Sequence, residues 1–324
     1  MNEHFYIYRL LHLKGFGEKG LSRLLLWVKG RGFSVKDIFT MSQKELHEQI
    51  PLFAKGRYAS IQKSDFDATE SVWEEYEALV KDGANMLTIL DEAYPNLLRA
   101  RLGDAAPPVL FFKGNWRLAG MKSISVVGSR GVSEKEVMFT KELAKSLTAE
   151  GYNIVSGYAK GVDTAAHIGA LSGDGTTTAV LSMGIKHLSI KRDFRQYDWK
   201  RNTLFLSQFL PKQSWNARFA MQRNKIVCGL SDAVIVIASG PERDAKGRMS
   251  GTFAAAKFAL QRGIPLLVLE PTFLEIAAKG NTQLISRGGM SFSSFQDILA
   301  VLSETTSDLV PQRSSHQLSL FTPE

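Results

Sequence analysis

Apolar residues follow two different rhythms along this chain. From residue 1 to about 83 they recur at helical spacing, as Leu10, Leu11 and Leu13 and then Leu21, Leu24, Leu25 and Val28, on either side of the glycine-flanked segment Gly15-Phe16-Gly17-Glu18-Lys19-Gly20. This predicts a small all-helical domain over 1–83. From Met86 the rhythm changes to short apolar runs: 86–90, 109–112, 124–127, 154–155, 178–181, 204–206, 233–237 and 266–269. Helical patterns stand between most of them, which predicts right-handed crossovers and an α/β, Rossmann-like domain over 84–303, with a largely parallel sheet and helices on both faces. A last helix is predicted near Phe295 to Leu302. The remaining SETTSDLVPQRSSHQLSLFTPE has neither period, and its composition buries too little apolar surface to offset ordering entropy, so 304–324 is predicted to be a flexible tail.

With 324 residues, 44% hydrophobic and 22% charged, the chain is long enough for a sizeable core divided into two or three units. The formal charge of +8 makes the average surface attractive to anions, among which nucleic acid is the commonest large one. Cys228 is alone and sits in the apolar run Ile226-Val227-Cys228, which suits a buried structural thiol; no metal-ligand spacing surrounds it. No metal site and no cofactor are expected. The amino terminus lacks a signal-like apolar core, and runs such as 233–238 are too short to span a bilayer, so a cytoplasmic protein without membrane contact is expected.

Three segments carry chemistry. In SISVVGSRGVSEKE an apolar strand runs into Gly128, Ser129 and Arg130, and a helix opens near Ser133 with Glu134 and Glu136 in its first turn. Glycine lets backbone approach a ligand, Ser129 offers a hydroxyl, the helix start offers N–H groups and Arg130 offers a forked cation, which together suit a phosphate. The tetrapeptide alone is equally a tight strand-to-helix turn. IVSGYAKGVDTAAHIGAL repeats this logic one βα unit later: Ser156 and Gly157 end a strand, and Lys160 and Gly161 precede a helix. Ligands of open α/β sheets bind beyond the carboxyl ends of strands, so Lys160 and Arg130 can face one crevice. Asp163 suits a helix cap, and His167 suits a packed or partnered histidine better than a catalytic one. In NARFAMQRNKIVCGLSDAVIVIA, Phe219 and Arg223 share a helix face, offering a base a flat surface while Arg223 and Lys225 reach phosphate beside Asn224. Core packing of Phe219 with solvated cations is the plain alternative.

The order VGSR, SGYAKGVDTAAHIGAL, TAVLSMG, FAMQRNKIVCGLSDAVIVIA and SGTFAAAKFALQRGIPLLVLEP resembles the DNA processing protein A family, DprA or Smf, across roughly 85–271. The resemblance implies a Rossmann-like, usually dimeric, non-catalytic protein that binds single-stranded DNA and hands it to a RecA-type recombinase in recombination, repair or natural transformation. Carried over, Gly128, Ser129, Arg130, Ser156, Gly157, Lys160, Arg223, Asn224 and Lys225 form the DNA pocket, with Phe219 building it or stacking on a base. This chain departs from the family pattern where IKHLSIKRDFRQYDWKR follows Gly184 without the family's Tyr-Pro loop. It also has Glu270-Pro271 in place of Pro-Gly, lengthens the loop before Ser250-Gly251-Thr252 by GPERDAKGRM, and shows no winged-helix pattern after 303.

Two short motifs add partners. Lys14, Gly15, Gly17 and Lys19 resemble the hairpin of helix-hairpin-helix modules, which holds a DNA phosphate on backbone N–H groups; a common glycine-turned helix pair reads the same way. In the tail, Gln317, Leu318, Ser319, Leu320 and Phe321 match the peptide by which bacterial proteins bind the polymerase sliding clamp, Leu and Phe filling an apolar pocket and Gln317 bonding at its rim. Two other functions compete with single-strand binding. One is a regulatory or antitoxin-like role beside an operon-encoded partner enzyme in a defence system. The other is a nucleotide hydrolase resembling the LONELY GUY phosphoribohydrolases, disfavoured because no second acidic residue stands near Thr252.

Overall fold

Seven helices precede the first strand: α1 (Glu3–Leu11), α2 (Glu18–Arg31), α3 (Val35–Thr40), α4 (Gln43–Gln49), α5 (Pro51–Ala54), α6 (Lys63–Ala68) and α7 (Trp73–Lys81). The structure is a computed structural model and describes residues 2–274 and 279–308. Reciprocal capping boxes, Ser34 with Asp37 and Ser42 with Glu45, start α3 and α4 by satisfying N–H groups that a helix leaves open. Rings fill the space between the helices: Phe5 meets Trp73 edge-on at 4.7 Å, and Phe53 meets Phe66 at 5.6 Å. The one buried cation among them, Arg9, donates to the Phe66 carbonyl (2.8 Å) and the Thr69 hydroxyl (3.0 Å) while lying 4.2 Å from the Phe39 ring.

The chain then builds a nine-stranded sheet from β1 (Ala84–Thr88), β2 (Val109–Gly114), β3 (Ser123–Val127), β4 (Asn153–Gly157), β5 (Thr177–Val180), β6 (Thr203–Ser207), β7 (Ala233–Val236), β8 (Leu266–Leu269) and β9 (Met290–Phe292). Its order is β1-β2-β6-β5-β4-β3-β7-β8-β9. The pairings β1–β2 and β2–β6 are antiparallel and the rest parallel, so the lead-in strands extend an otherwise parallel α/β sheet. The connecting helices are α8 (Asn96–Leu102), α9 (Glu134–Ala149), α10 (Val162–Ser172), α11 (Trp199–Asn202), α12 (Ala217–Gly229), α13 (Gly251–Gln261), α14 (Lys279–Ile285) and α15 (Phe295–Asp308). Burial on both sheet faces explains why β7 and β8 read as unbroken apolar runs rather than alternating ones. β3 pairs with β4 on one side and β7 on the other, so the chain winds away from it in both directions and leaves a switch point beyond its carboxyl end.

Beyond shifts of a residue or two at other strand ends, three features differ from the sequence reading. The first strand ends at Thr88 rather than Leu90, because the Asp91 carboxylate accepts from the Thr88 N–H (2.6 Å) and hydroxyl (2.9 Å) and closes a turn there. The ninth strand escaped notice because it is three residues long and buries only Phe292. α15 runs to Asp308, so the expected tail start at 304 falls inside a helix; SETTSD contains neither Gly nor Pro to break it.

The helical part docks on the β2 side of the sheet. The Tyr8 ring meets Phe111 edge-on at 6.2 Å, and the Tyr8 hydroxyl donates to Glu75 (2.8 Å), which also takes Lys212 at 2.6 Å. At the far side, buried Asn281 joins three backbones: its oxygen accepts from the Ser239 N–H, and its amide donates to the Ile237 and Leu269 carbonyls, each at 2.8 Å. Asn281→Ala strands one donor and two acceptors in the interior, at roughly 1 to 3 kcal/mol each where water cannot replace the amide. The expected loss is about 3 kcal/mol, read as a lower urea midpoint with an unchanged slope.

Candidate nucleic-acid interface

The carboxyl ends of β3 and β4 open into a crevice of about 580 Å³. Its walls include Gly128, Ser129, Arg130, Ala159, Asp163, Arg223 and Asn224, together with Ser250, Gly251 and Thr252 at the start of α13. The β3 and β4 turns touch. Gly161 has φ +73, and a side chain there would fall 2.5 Å from the Ser129 carbonyl oxygen and 2.7 Å from that of Arg130. Only glycine both adopts that backbone and admits that approach. The Val162 N–H donates to the Ser129 carbonyl (3.3 Å), so the turn that carries exposed Lys160 is held against the turn that carries exposed Arg130; Arg130 lines the crevice, whereas Lys160 stands outside its lining.

Several anticipated contacts take other roles. A side chain at Gly128 would meet Val162 rather than a ligand, and the Ser129 N–H is already given to the Ala238 carbonyl (2.8 Å). The start of α9 is not open to an anion: Ser133 accepts from Glu136 N–H, and the Glu136 carboxylate accepts from Ser133 N–H (2.9 Å). Ser156 is fully buried and donates its hydroxyl to the Val126 carbonyl (2.6 Å), so it ties β4 to β3 and faces no ligand. Gly157 is also buried, and a methyl there would overlap the Arg223 guanidinium and Asp163 carboxylate.

Arg223 is the largest departure. It is 6% exposed, and its Nη1 lies 3.5 Å from the Asp163 carboxylate, itself 5% exposed, while its Nε has no hydrogen-bond partner. Burial lowers its pKa and the carboxylate raises it again. Asp163 therefore answers Arg223 and accepts from the Ala159 N–H (3.3 Å), while Gly161 occupies the cap position of α10. Asn224 lines the crevice and donates to the Gly251 carbonyl (2.9 Å), joining α12 to α13. Lys225 is exposed but does not line the crevice, and Phe219 lines a different cleft, on the other side of α12.

Sequence reasoning overlooked two contributors. The inserted loop before Ser250 overhangs the crevice and adds Asp244 and Arg248, which pair at 2.8 Å. Glu242 pins this loop to Arg287 (2.6 Å) and Lys257 (3.2 Å), bonds that hold its carboxyl down at about 2. Among the described lining residues, Arg130 is thus the one arginine without a carboxylate partner. Lys191, from the basic stretch after Gly184, donates to the Ala159 carbonyl (3.0 Å) and Thr164 hydroxyl (2.7 Å), bracing the β4 turn from behind.

A family model for DNA recombination-mediator protein A matches residues 85–303. The chain belongs to this family. It is 35% identical over 214 residues to the DNA processing protein DprA of Streptococcus pneumoniae, covering 66% of this chain and 72% of that one. The crystal structure of DNA processing protein A from the same organism superposes with a TM-score of 0.69 at 26% identity, over 93% of this chain and 97% of its own, a likeness that extends into the helical part. The Helicobacter pylori protein, whose structure was described for its single-stranded DNA binding mode, shares the fold with a TM-score of 0.54 at 24% identity, over 68% and 96%. Members of the DprA family mediate recombination and are binding proteins rather than enzymes. Among the described residues no helix is long and apolar enough to cross a membrane, and no His, Cys, Asp or Glu cluster is arranged for a metal.

Behind the crevice, His167 is fully buried between β4 and β5, with Nε2 2.6 Å from the Gly157 carbonyl and Nδ1 2.6 Å from the Thr177 hydroxyl. Burial pushes its pKa down to about 3, so the folded protein holds it neutral while the unfolded chain protonates it near 6.5. Its contribution is complete above pH 6.5 and is lost as pH falls toward 3, at about 1.4 kcal/mol per unit. Unfolding free energies measured from pH 6.5 to 5.5 should therefore fall by about 1 kcal/mol more in the parent protein than in His167→Gln.

Proposed function

We propose that this DprA-family protein binds single-stranded DNA along the carboxyl edge of its sheet and acts as a recombination mediator in DNA repair or uptake. The observation that carries this reading is the contact at Gly161, which joins the Arg130 and Lys160 turns into one basic edge. The single-strand binding described for the Helicobacter pylori protein of the same fold supports it. Phosphates meet Arg130 and Lys160, whose charges are exposed; Arg223, committed to Asp163, shapes the wall behind them. Contacts of this kind make affinity fall steeply with salt and read little sequence.

The reading includes partners. A RecA-type recombinase receives the strand, two copies of the chain act together, and residues 317–321, which lie outside the described residues, dock on the sliding clamp. No residue of the crevice favours a restraining role on a partner enzyme over this one, and beside Thr252 the lining acids Asp163 and Asp244 each face an arginine instead of a hydrolysable bond.

Arg130→Ala or Lys160→Ala should weaken binding to oligo-dT in low salt about tenfold, and Arg313→Ala in the tail should not; equal losses in all three overturn the assignment of the crevice. Deleting residues 317–321 should abolish association with the clamp in a pull-down and leave oligo-dT affinity unchanged.

A further inference from the structure

On the other side of α12 lies a cleft of about 420 Å³ between the helical part and the sheet domain. Gly17, Glu18 and Lys19 at the start of α2, Arg57 and Tyr58 from the turn at 56–58, and Phe209, Arg218 and Phe219 around α12 form most of its wall. Three cations from three separate elements, Lys19, Arg57 and Arg218, are all exposed there. Among the described residues none of them is paired with a carboxylate, and Glu18 is the only acid in the lining. This contrasts with the crevice, where two of three arginines are neutralised by neighbours. Three cations gathered against one acid, none of them in an ion pair, leave an excess of positive charge that suits an anion.

The same wall carries a flat apolar surface. Phe219 stacks on Phe209 with ring centres 4.2 Å apart and planes 27° from parallel. Phe209 is buried beneath, whereas Phe219 is only half-buried and borders the cleft. A half-covered ring beside unpaired cations matches the single-strand pattern, in which bases lie on aromatic faces and phosphates on Lys or Arg; paired bases in a duplex keep their faces hidden. The crevice and the cleft share one element. The first two turns of α12 present Ala220, Met221, Arg223 and Asn224 to the crevice and Arg218, Phe219 and Gln222 to the cleft. A helix is about 10 Å across, so a few nucleotides bridge the two.

We infer that the cleft between α2 and α12 is a second single-strand subsite, with a base on the Phe209–Phe219 stack and phosphates on Lys19, Arg57 and Arg218. The inference rests on single-strand binding at the crevice and extends its path onto the helical part. Of the helix-hairpin-helix-like residues, Gly17 and Lys19 border this subsite, and Lys14 and Gly15 do not.

The test is anisotropy of the full chain with oligo-dT of about two nucleotides, too short to bridge the two sites, and of about twenty, across a salt series. Arg57→Ala/Arg218→Ala, at exposed unpaired positions, should melt with the parent. It should flatten the salt slope on the long strand by about 1.4, or 0.7 for each lost phosphate contact, and leave the short strand unchanged. Phe219→Ala should lose on the order of tenfold on the long strand, and Phe219→Tyr should restore it. An unchanged long-strand slope, or equal losses on both lengths, overturns the subsite. Failure of the crevice reading looks different, since Arg130→Ala would then leave both lengths unaffected whatever the double variant does.

Discussion

A buried ion pair between Arg223 and Asp163 sets the geometry on which both faces of α12 depend. The two side chains are almost wholly withdrawn from water, and breaking such a pair by removing one partner costs about 3 to 5 kcal/mol because the other charge is left uncompensated. The pair needs room, and Gly157 supplies it: any larger residue at the end of β4 would occupy the space of the guanidinium. The Gly157 carbonyl is in turn fixed by His167 from α10. β4, α10 and α12 are thereby locked at one point, and the walls of the crevice and of the neighbouring cleft follow from where α12 is held.

That lock redistributes charge in a way that counting basic residues conceals. A chain with formal charge +8 places three arginines around its crevice, yet Arg223 and Arg248 are answered by Asp163 and Asp244. What remains for an incoming anion is Arg130 with Lys160 on the adjoining turn, two exposed cations whose turns are held together by the close approach at Gly161. The cleft on the far side of α12 has the opposite economy, with three cations and one acid. Unpaired cations thus stand at the crevice and at the cleft on the two flanks of one helix, which is a geometric result and not a compositional one.

The inserted loop before Ser250 belongs to the same logic. Its own arginine is paired within the loop, and Glu242 fastens it to α13 and to Arg287. It therefore adds wall rather than charge to the crevice, and its polar, glycine-containing sequence gave no sign of which way it would fold.

Much of this architecture was legible before any coordinates. The change of apolar rhythm near Met86 separates the helical start from the sheet, because helices and buried strands place apolar residues at different periods. The Ser133–Glu136 cap of α9, the buried Cys228 and the structural part played by His167 follow from local spacing and residue chemistry. The turns of Arg130 and Lys160 could be assigned to one edge because parallel strands must end on the same side. Pairing across the fold was not legible. That Ser156 turns inward, that Arg223 meets Asp163 sixty residues away in sequence, and that Phe219 faces the helical part instead of the crevice all depend on how α10, α12 and α2 pack. The sequence by itself determined most of the elements, their order along the chain and the edge where basic turns gather, since these rest on short-range periodicity and strand polarity. Only the tertiary structure decided which cations stay free, because a charge is neutralised by whatever the fold brings within a few ångströms of it.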